Sequence, residues 1–256
     1  MIRLFVSDID GCLAMPYQRY DLGGLRALAQ LAAEAPQAET VSAHPTLSLC
    51  SGRSYAYVEA MTQVLDISTP VLFESGGGMF DPAAAQTAWN PKFTADVADQ
   101  VDAVRQWMAD TLVTESPTLS VDYGKRTQAG LVSPDEDEIA AHIAIVEDFV
   151  DARAPDLRVY PTHVSIDVVH PDITKKEGLT WLTNHVNVLL EETAYIGDTK
   201  GDLVALDIVG YAFAPANAQA VVREQVQRVT DGAVLAGTLE AYRWCMAHNK
   251  NQATEA

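Results

Sequence analysis

Five times this chain runs apolar for four or five residues and then breaks into a polar turn. The pairs are "IRLFV" with "SDIDG", "TLSLC" with "SGRS", "PVLFE" with "SGGGMFD", "TAYI" with "GDTKGD", and "GYAFA" with "PANAQ". A run without polar alternation suits a strand buried on both faces. Helical patterns follow over Leu22 to Ala35 and Tyr55 to Leu65, and another begins near Leu203. Strands alternating with helices predict a parallel sheet covered on both sides, an α/β fold with a Rossmann-like core. In such sheets the chemistry sits at the carboxyl ends of the strands, where the polar turns fall.

The middle of the chain follows a different pattern. Apolar residues at Val97, Val101, Val104 and Met108 predict a helix, and Pro134 to Ala152 reads as another with an acidic start. Strand-like "TLSVDYG", "TQAGLV", "LRVY" and "HVSIDVV" lie around them, without the glycine punctuation of the flanks. This reads as an inserted α+β domain over residues 84–170, between core segments 1–83 and 171–256. The closing "HNKNQATEA" is polar and is expected to fray.

Bulk properties narrow the function. With 256 residues, 48% hydrophobic and 20% charged, the chain has a globular composition. A formal charge of −18 argues against nucleic-acid or membrane-surface partners, and no apolar stretch is long enough to span a bilayer. "MIRLFV" is cut short by Asp8, so no secretory signal is expected. Cys12, Cys50 and Cys245 are odd in number and widely spaced, which suits reduced thiols in a cytoplasmic protein.

Four clusters could carry chemistry. Asp8 and Asp10 end the first strand on the same side of the backbone, where their charges repel unless a cation or a shared proton intervenes. A helix cap or Asx-turn would use the same residues. Asp198 and Asp202 stand four apart at a strand-to-helix turn, a spacing that suits a hard cation or a helix cap. Ser51 with the amides of Gly52 and Arg53 could take a phosphate oxygen or simply cap the next helix. Lys175 and Lys176 open a helix against its dipole, so they need full solvent exposure or another reason to be there.

In the order Asp8 and Asp10, Ser51, Lys175, then Asp198 and Asp202, the clusters resemble the motifs of the haloacid dehalogenase superfamily of phosphohydrolases. "DIDG", "SGR", "TKKEGL" and "GDTKGD" look like its four motifs, and "FAPANAQAVVREQVQRVT" like the segment that follows in its sugar-phosphatase branch. An insert between the second and third motifs resembles the Cof-like class IIB branch, whose members include sugar-phosphate, sucrose-phosphate and mannosylphosphoglycerate phosphatases and phosphomannomutase. Two departures stand out. Gly201 occupies the place of an asparagine, and Lys176 stands where a glycine follows the lysine, which leaves Lys175 and Lys176 competing for that role.

The resemblance implies a Mg2+-dependent phosphatase acting on a small phosphorylated metabolite such as a sugar phosphate. Asp8 would be the nucleophile that becomes an aspartyl phosphate, and Asp10 the acid and base. Ser51, Gly52 and Lys175 would bind the phosphoryl group. Asp8, Asp10 through its carbonyl, Asp198 and Asp202 would serve the metal. The inserted domain would be a cap that selects substrate, with Tyr123, Lys125, Arg126 and His163 as its candidates. A phosphomutase, or a non-catalytic binding module of the same fold, would use the same residues.

Overall fold

The computed structural model describes residues 1–35, 42–162 and 164–255; His163, one of the expected cap residues, lies outside them. In chain order the strands are β1 (Leu4–Ser7), β2 (Thr46–Leu49), β3 (Val71–Phe73), β4 (Gly78–Asp81), β5 (Gln86–Trp89) and β6 (Ser120–Val121). They continue with β7 (Gln128–Val132), β8 (Arg158–Pro161), β9 (Ser165–Val169), β10 (Thr193–Ile196), β11 (Tyr211–Ala214) and β12 (Arg228–Val229).

The expected parallel sheet is present, in the order β12-β11-β10-β1-β2, with every neighbouring pair parallel. Its runs alternate between two cores, which is why their large side chains on both faces are apolar. Phe5, Leu47, Leu49, Ile196 and Phe213 face the helices Leu22–Ala32, Tyr55–Val64 and Val234–Glu255. Leu4, Val6, Tyr195 and Ala212 face the opposite side, toward helices Lys175–His185, Leu203–Leu206 and Ala220–Arg223. Both faces are covered, so the sheet's open chemistry is confined to its ends.

"PVLFE" behaves differently from the other four runs. A single parallel bridge between Cys50 and Leu72 joins it to the main sheet. Its ladder runs instead through the antiparallel hairpin β3-β4-β5. The reason is local: a turn at Glu74–Gly76 with Glu74 at φ 50, Ser75 at φ 56 and Gly76 at φ 92 reverses the chain before a helix can form.

The inserted segment builds a separate core. Its antiparallel sheet has the order β6-β7-β9-β8. Val97, Val101 and Val104 of helix Ala95–Trp107 pack with Ile139, Val146 and Val150 of helix Glu136–Arg153 on one face of that sheet. Strand residues Ala129, Leu131, Ile166 and Val168 complete this core. The opposite face is polar, with Asp122, Lys125 and Asp167 close together.

The expected fraying of the last residues is corrected by one side chain. The final helix runs to Glu255, and Asn249 within it is fully buried. Its Oδ1 accepts from the Ile2 amide at 2.7 Å, and its Nδ2 donates to the carbonyls of Ile2 at 2.7 Å and Ser42 at 3.1 Å. The helix is therefore fastened to the backbone that leads into β1, a contact that a polar composition does not reveal. Asn249→Ala orphans these buried backbone groups and is expected to cost about 2–4 kcal/mol, read from urea unfolding.

Candidate active site

Three strands deliver the polar groups of the site side by side. Ser7 of β1 is in register with Leu49 of β2 and Ile196 of β10. The residues just beyond them, Asp8, Cys50 to Ser51, and Gly197 to Asp198, thus emerge together at the carboxyl edge. Asp8 is buried; its Oδ1 accepts from the Ile9 amide at 2.6 Å and its Oδ2 from Lys175 Nζ at 2.7 Å. Lys175 also donates to Asp202 Oδ1 at 2.7 Å. Of the two adjacent lysines it is Lys175 that is buried in this pairing, while Lys176 is exposed on the next position of the same helix. The pairing explains how a cation can open a helix: two buried carboxylates outweigh the dipole.

The acids are unequally satisfied. Asp202 Oδ1 additionally accepts from Tyr195 Oη at 2.8 Å. Its Oδ2 accepts from the amides of Asp198 and Thr199 and from Thr199 Oγ1, at 3.2, 3.0 and 3.0 Å. Burial opposes its charge, yet Lys175 and these donors hold its carboxyl below the usual range. Asp8 has only two donors, so burial wins over the Lys175 charge and lifts it to about 6. Asp198 is lifted to about 8 by burial first, then by Asp202 and Asp8. Burial also opposes the Lys175 ammonium, but Asp202 and Asp8 outweigh it and raise its value well above the ordinary one.

A cation site follows from what is left over. Asp8, Asp198 and Asp202 each present an oxygen, all within 4.8 Å of one another. Asp198 Oδ1 is buried with no hydrogen-bond partner among the described residues. Asp202 accepts two hydrogen bonds on Oδ1 and three on Oδ2, whereas each Asp8 oxygen accepts one, so the open valence belongs to Asp8 and Asp198, hard oxygen donors of the kind that suit Mg2+. Gly11 makes the approach feasible: it sits at φ 73, and a Cβ there would overlap the Asp198 carboxylate. Asn217, in the "FAPANAQ" segment, fixes the same loop by donating to the Gly11 carbonyl at 3.0 Å.

The side chain of Asp10 is turned away from this cluster. Both its oxygens are held by Arg53, from Nε at 2.6 Å and Nη2 at 2.7 Å. Ser51 is buried beside Asp8's strand, and its Oγ accepts from the Arg53 amide at 3.3 Å. The Gly52 amide has no partner among the described residues. The helix itself starts three residues after Gly52, at Tyr55.

Several residues escaped the sequence reading. Tyr195 lies inside an apolar strand run, and only the fold brings its hydroxyl to Asp202. At Arg53 it is the side chain, and not only the amide, that engages the site, through Asp10. Glu74 is buried and accepts from the Arg126 amide at 3.0 Å, the Thr127 amide at 2.6 Å and Thr127 Oγ1 at 2.7 Å. The glycines after it serve close packing: Gly178 lies so near that a Cβ on it would meet the Gly76 Cα at 2.6 Å. The displaced glycine of "TKKEGL" therefore still has a steric task.

The expected cap residues divide. Lys125 is paired with Asp167 at 2.8 Å, and the Arg126 guanidinium lies 5.0 Å from the Trp89 ring centre. Tyr123 is exposed, on a loop whose Gly124 approaches Ser54.

Residues 114–237 match the family model described as haloacid dehalogenase-like hydrolase. Over that stretch, just under half its length, the chain is similar to the haloacid dehalogenase-like hydrolases. A phosphoglycolate phosphatase of Natronomonas pharaonis is 26% identical to it over 247 residues, 94% of this chain and 96% of the relative. Among solved structures, a protein of Thermoplasma acidophilum superposes with a TM-score of 0.72 at 18% identity, covering 98% of this chain and 99% of the other. A sucrose-phosphatase of Synechocystis, solved with sucrose and phosphate, gives 0.68 at 15% identity over 98% and 99%. These superpositions show a shared fold. The hydrolase is an enzyme of the phosphatase kind.

Removing the ammonium from the cluster is expected to be costly. Lys175→Met leaves Asp8 and Asp202 buried without their counter-charge and should destabilise by about 3–5 kcal/mol, whereas Lys176→Met should stay within about 0.5 kcal/mol. Parallel denaturant titrations of the two variants check this.

Proposed function

We propose that this enzyme is a Mg2+-dependent phosphatase that hydrolyses a small phosphorylated metabolite by way of an aspartyl phosphate on Asp8. One observation carries the reading: Asp8, buried and paired with Lys175, lies beside the unpartnered oxygen of Asp198. Residues 1–83 and 171–256 form the hydrolase core domain in this reading, and residues 84–170 the cap. The relative's name points to phosphoglycolate, a small ester that suits the class.

The Asp8 carboxylate attacks phosphorus; a carboxylate oxygen–phosphorus bond forms as the ester oxygen–phosphorus bond breaks. Asp10 gives a proton to the leaving oxygen and later takes one from the water that hydrolyses the aspartyl phosphate. Ser51, the open Gly52 amide and the Lys175 ammonium hold the phosphoryl oxygens, the lysine already aimed by Asp202. Mg2+, held by Asp8, Asp198 and the Asp10 carbonyl with Asp202 steadying them, would supply positive charge against the phosphoryl oxygens. Positioning and charge are most of what phosphoryl transfer needs. Tyr123 meets the substrate from the cap, and Lys125 and Arg126 shape that surface; His163, the remaining cap candidate, lies outside the described residues. Three buried free thiols, Cys12, Cys50 and Cys245, suit a cytoplasmic setting, and no helix of the described residues is long and apolar enough to cross a membrane.

With Mg2+ and p-nitrophenyl phosphate, the purified enzyme should release phosphate. Asp8→Asn should lower kcat by about a thousandfold or more, as loss of an enzymic nucleophile does; a fully active variant contradicts the assignment. The cation should also be linked to pH. Without it, Asp198 keeps a proton up to about pH 8 that the unfolded chain has already lost, so the metal-free fold loses stability as pH rises toward 8. A cation must displace that proton. Mg2+ affinity, measured by calorimetry, is therefore expected to rise by about tenfold per pH unit from 6 to 8 and then level off.

A further inference from the structure

The "ESGGG" turn carries one side chain whose task the fold does not explain. The bridge between Cys50 and Leu72 sets β3 beside β2, so the residues after β3 emerge next to the Ser51 turn. Glu74 and Ser75 stand there at φ 50 and φ 56. In that region a Cβ crowds the backbone, and glycine is the residue that avoids the strain. Three glycines follow directly, yet these two positions carry side chains. Strain kept where glycine would relieve it points to a use for the side chain.

For Glu74 the use is visible. Its carboxylate accepts from the amides of Arg126 and Thr127 and from Thr127 Oγ1. For Ser75 only the backbone is engaged: its amide donates to the Ser51 carbonyl at 2.9 Å, a bond that glycine would make equally well. Its hydroxyl has no hydrogen-bond partner among the described residues. The side chain is half-buried, so it neither fills the core nor stands clear in solvent. It lies against Gly52, where a Cβ would come within 3.3 Å of Ser75 Oγ. Gly52 is the residue whose amide is open, and Ser51 precedes it.

We propose that Ser75 is a further phosphate-binding residue, its hydroxyl donating to the phosphoryl oxygen that the Gly52 amide also takes. The proposal rests on the phosphatase reading above and adds a ligand to the same site. The ammonium of Lys175 is already divided between Asp8 and Asp202. Neutral donors must therefore supply much of the remaining hold on a phosphoryl group, and hydrogen bonds to a charged acceptor are among the strong ones. The donor is also oriented before the anion arrives. The Glu74 amide bonds to the Arg53 carbonyl and the Ser75 amide to that of Ser51, both at 2.9 Å, which fixes the hydroxyl to the turn that carries the other phosphate donors.

Calorimetry with inorganic phosphate and Mg2+ on the full chain tests this without turnover. Ser75→Ala keeps the Cβ and removes the hydroxyl; it should weaken phosphate binding about tenfold to a hundredfold, the range of a hydrogen bond to a charged group. Ser75→Gly should weaken it by a similar factor while its urea midpoint rises, because the strain leaves with the Cβ. Mg2+ affinity without phosphate should stay within about twofold in both variants, since the serine is bonded to none of the acids. A smaller loss of phosphate affinity in either variant overturns the proposal. So does an equal loss of Mg2+ affinity, or a lower urea midpoint in Ser75→Gly, each of which would make the serine a structural residue. Failure of the phosphatase reading looks different: the unaltered protein would neither bind phosphate nor release it from p-nitrophenyl phosphate, and the proposal would fall with it.

Discussion

Lys175 is buried between two carboxylates that lie at opposite ends of the sequence, and the functional end of the sheet is organised around that contact. Its Nζ reaches Asp8 and Asp202 at equal distances of 2.7 Å. Burying three charges is favourable only with complete pairing, because each lone charge inside a protein costs several kcal/mol. Asp198 adds a third acid to the group, so one ammonium faces three carboxylates. Burial first, and then this surplus, raises Asp8 and Asp198, and one Asp198 oxygen has no hydrogen-bond partner among the described residues. A fold that concentrates negative charge in this way is built to receive positive charge from outside.

The surrounding structure keeps that arrangement tight and connects it to the inserted domain. Tyr195 and the Thr199 turn saturate Asp202, which keeps it as an anchor for the lysine. The turn at Glu74–Gly76 touches three parts of the site at once. Its Ser75 amide bonds to the Ser51 carbonyl at 2.9 Å, Gly76 packs on the helix of Lys175, and the Glu74 carboxylate grips the Arg126–Thr127 backbone of the insert. Three successive residues at positive φ are the conformational cost of this junction. The Ser51 turn, the helix of Lys175 and the insert therefore share one connection.

Much of this was legible in the sequence because its causes are local. Unbroken apolar runs announced a doubly covered parallel sheet, and the acid-rich turns after them announced where chemistry would gather. What stayed hidden depends on long-range contact. Nothing near Tyr195 distinguishes its hydroxyl from that of any buried strand tyrosine. Which of the two adjacent lysines is buried depends on a helix phase relative to Asp8. Lys125 and Arg126 looked available as a basic pair because their partners, Asp167 and Trp89, lie about forty residues away on either side. Asn249 was disguised in a polar tail for the same reason.

The most direct measurement is a crystal structure of the enzyme with Mg2+ and beryllium fluoride, a mimic of a phosphoryl group on a carboxylate. The account predicts the beryllium on a carboxylate oxygen of Asp8, a metal ion between Asp8 and Asp198, and the Lys175 ammonium still bound to Asp202. Beryllium on Asp10, or a metal ion bound away from Asp198, would contradict it.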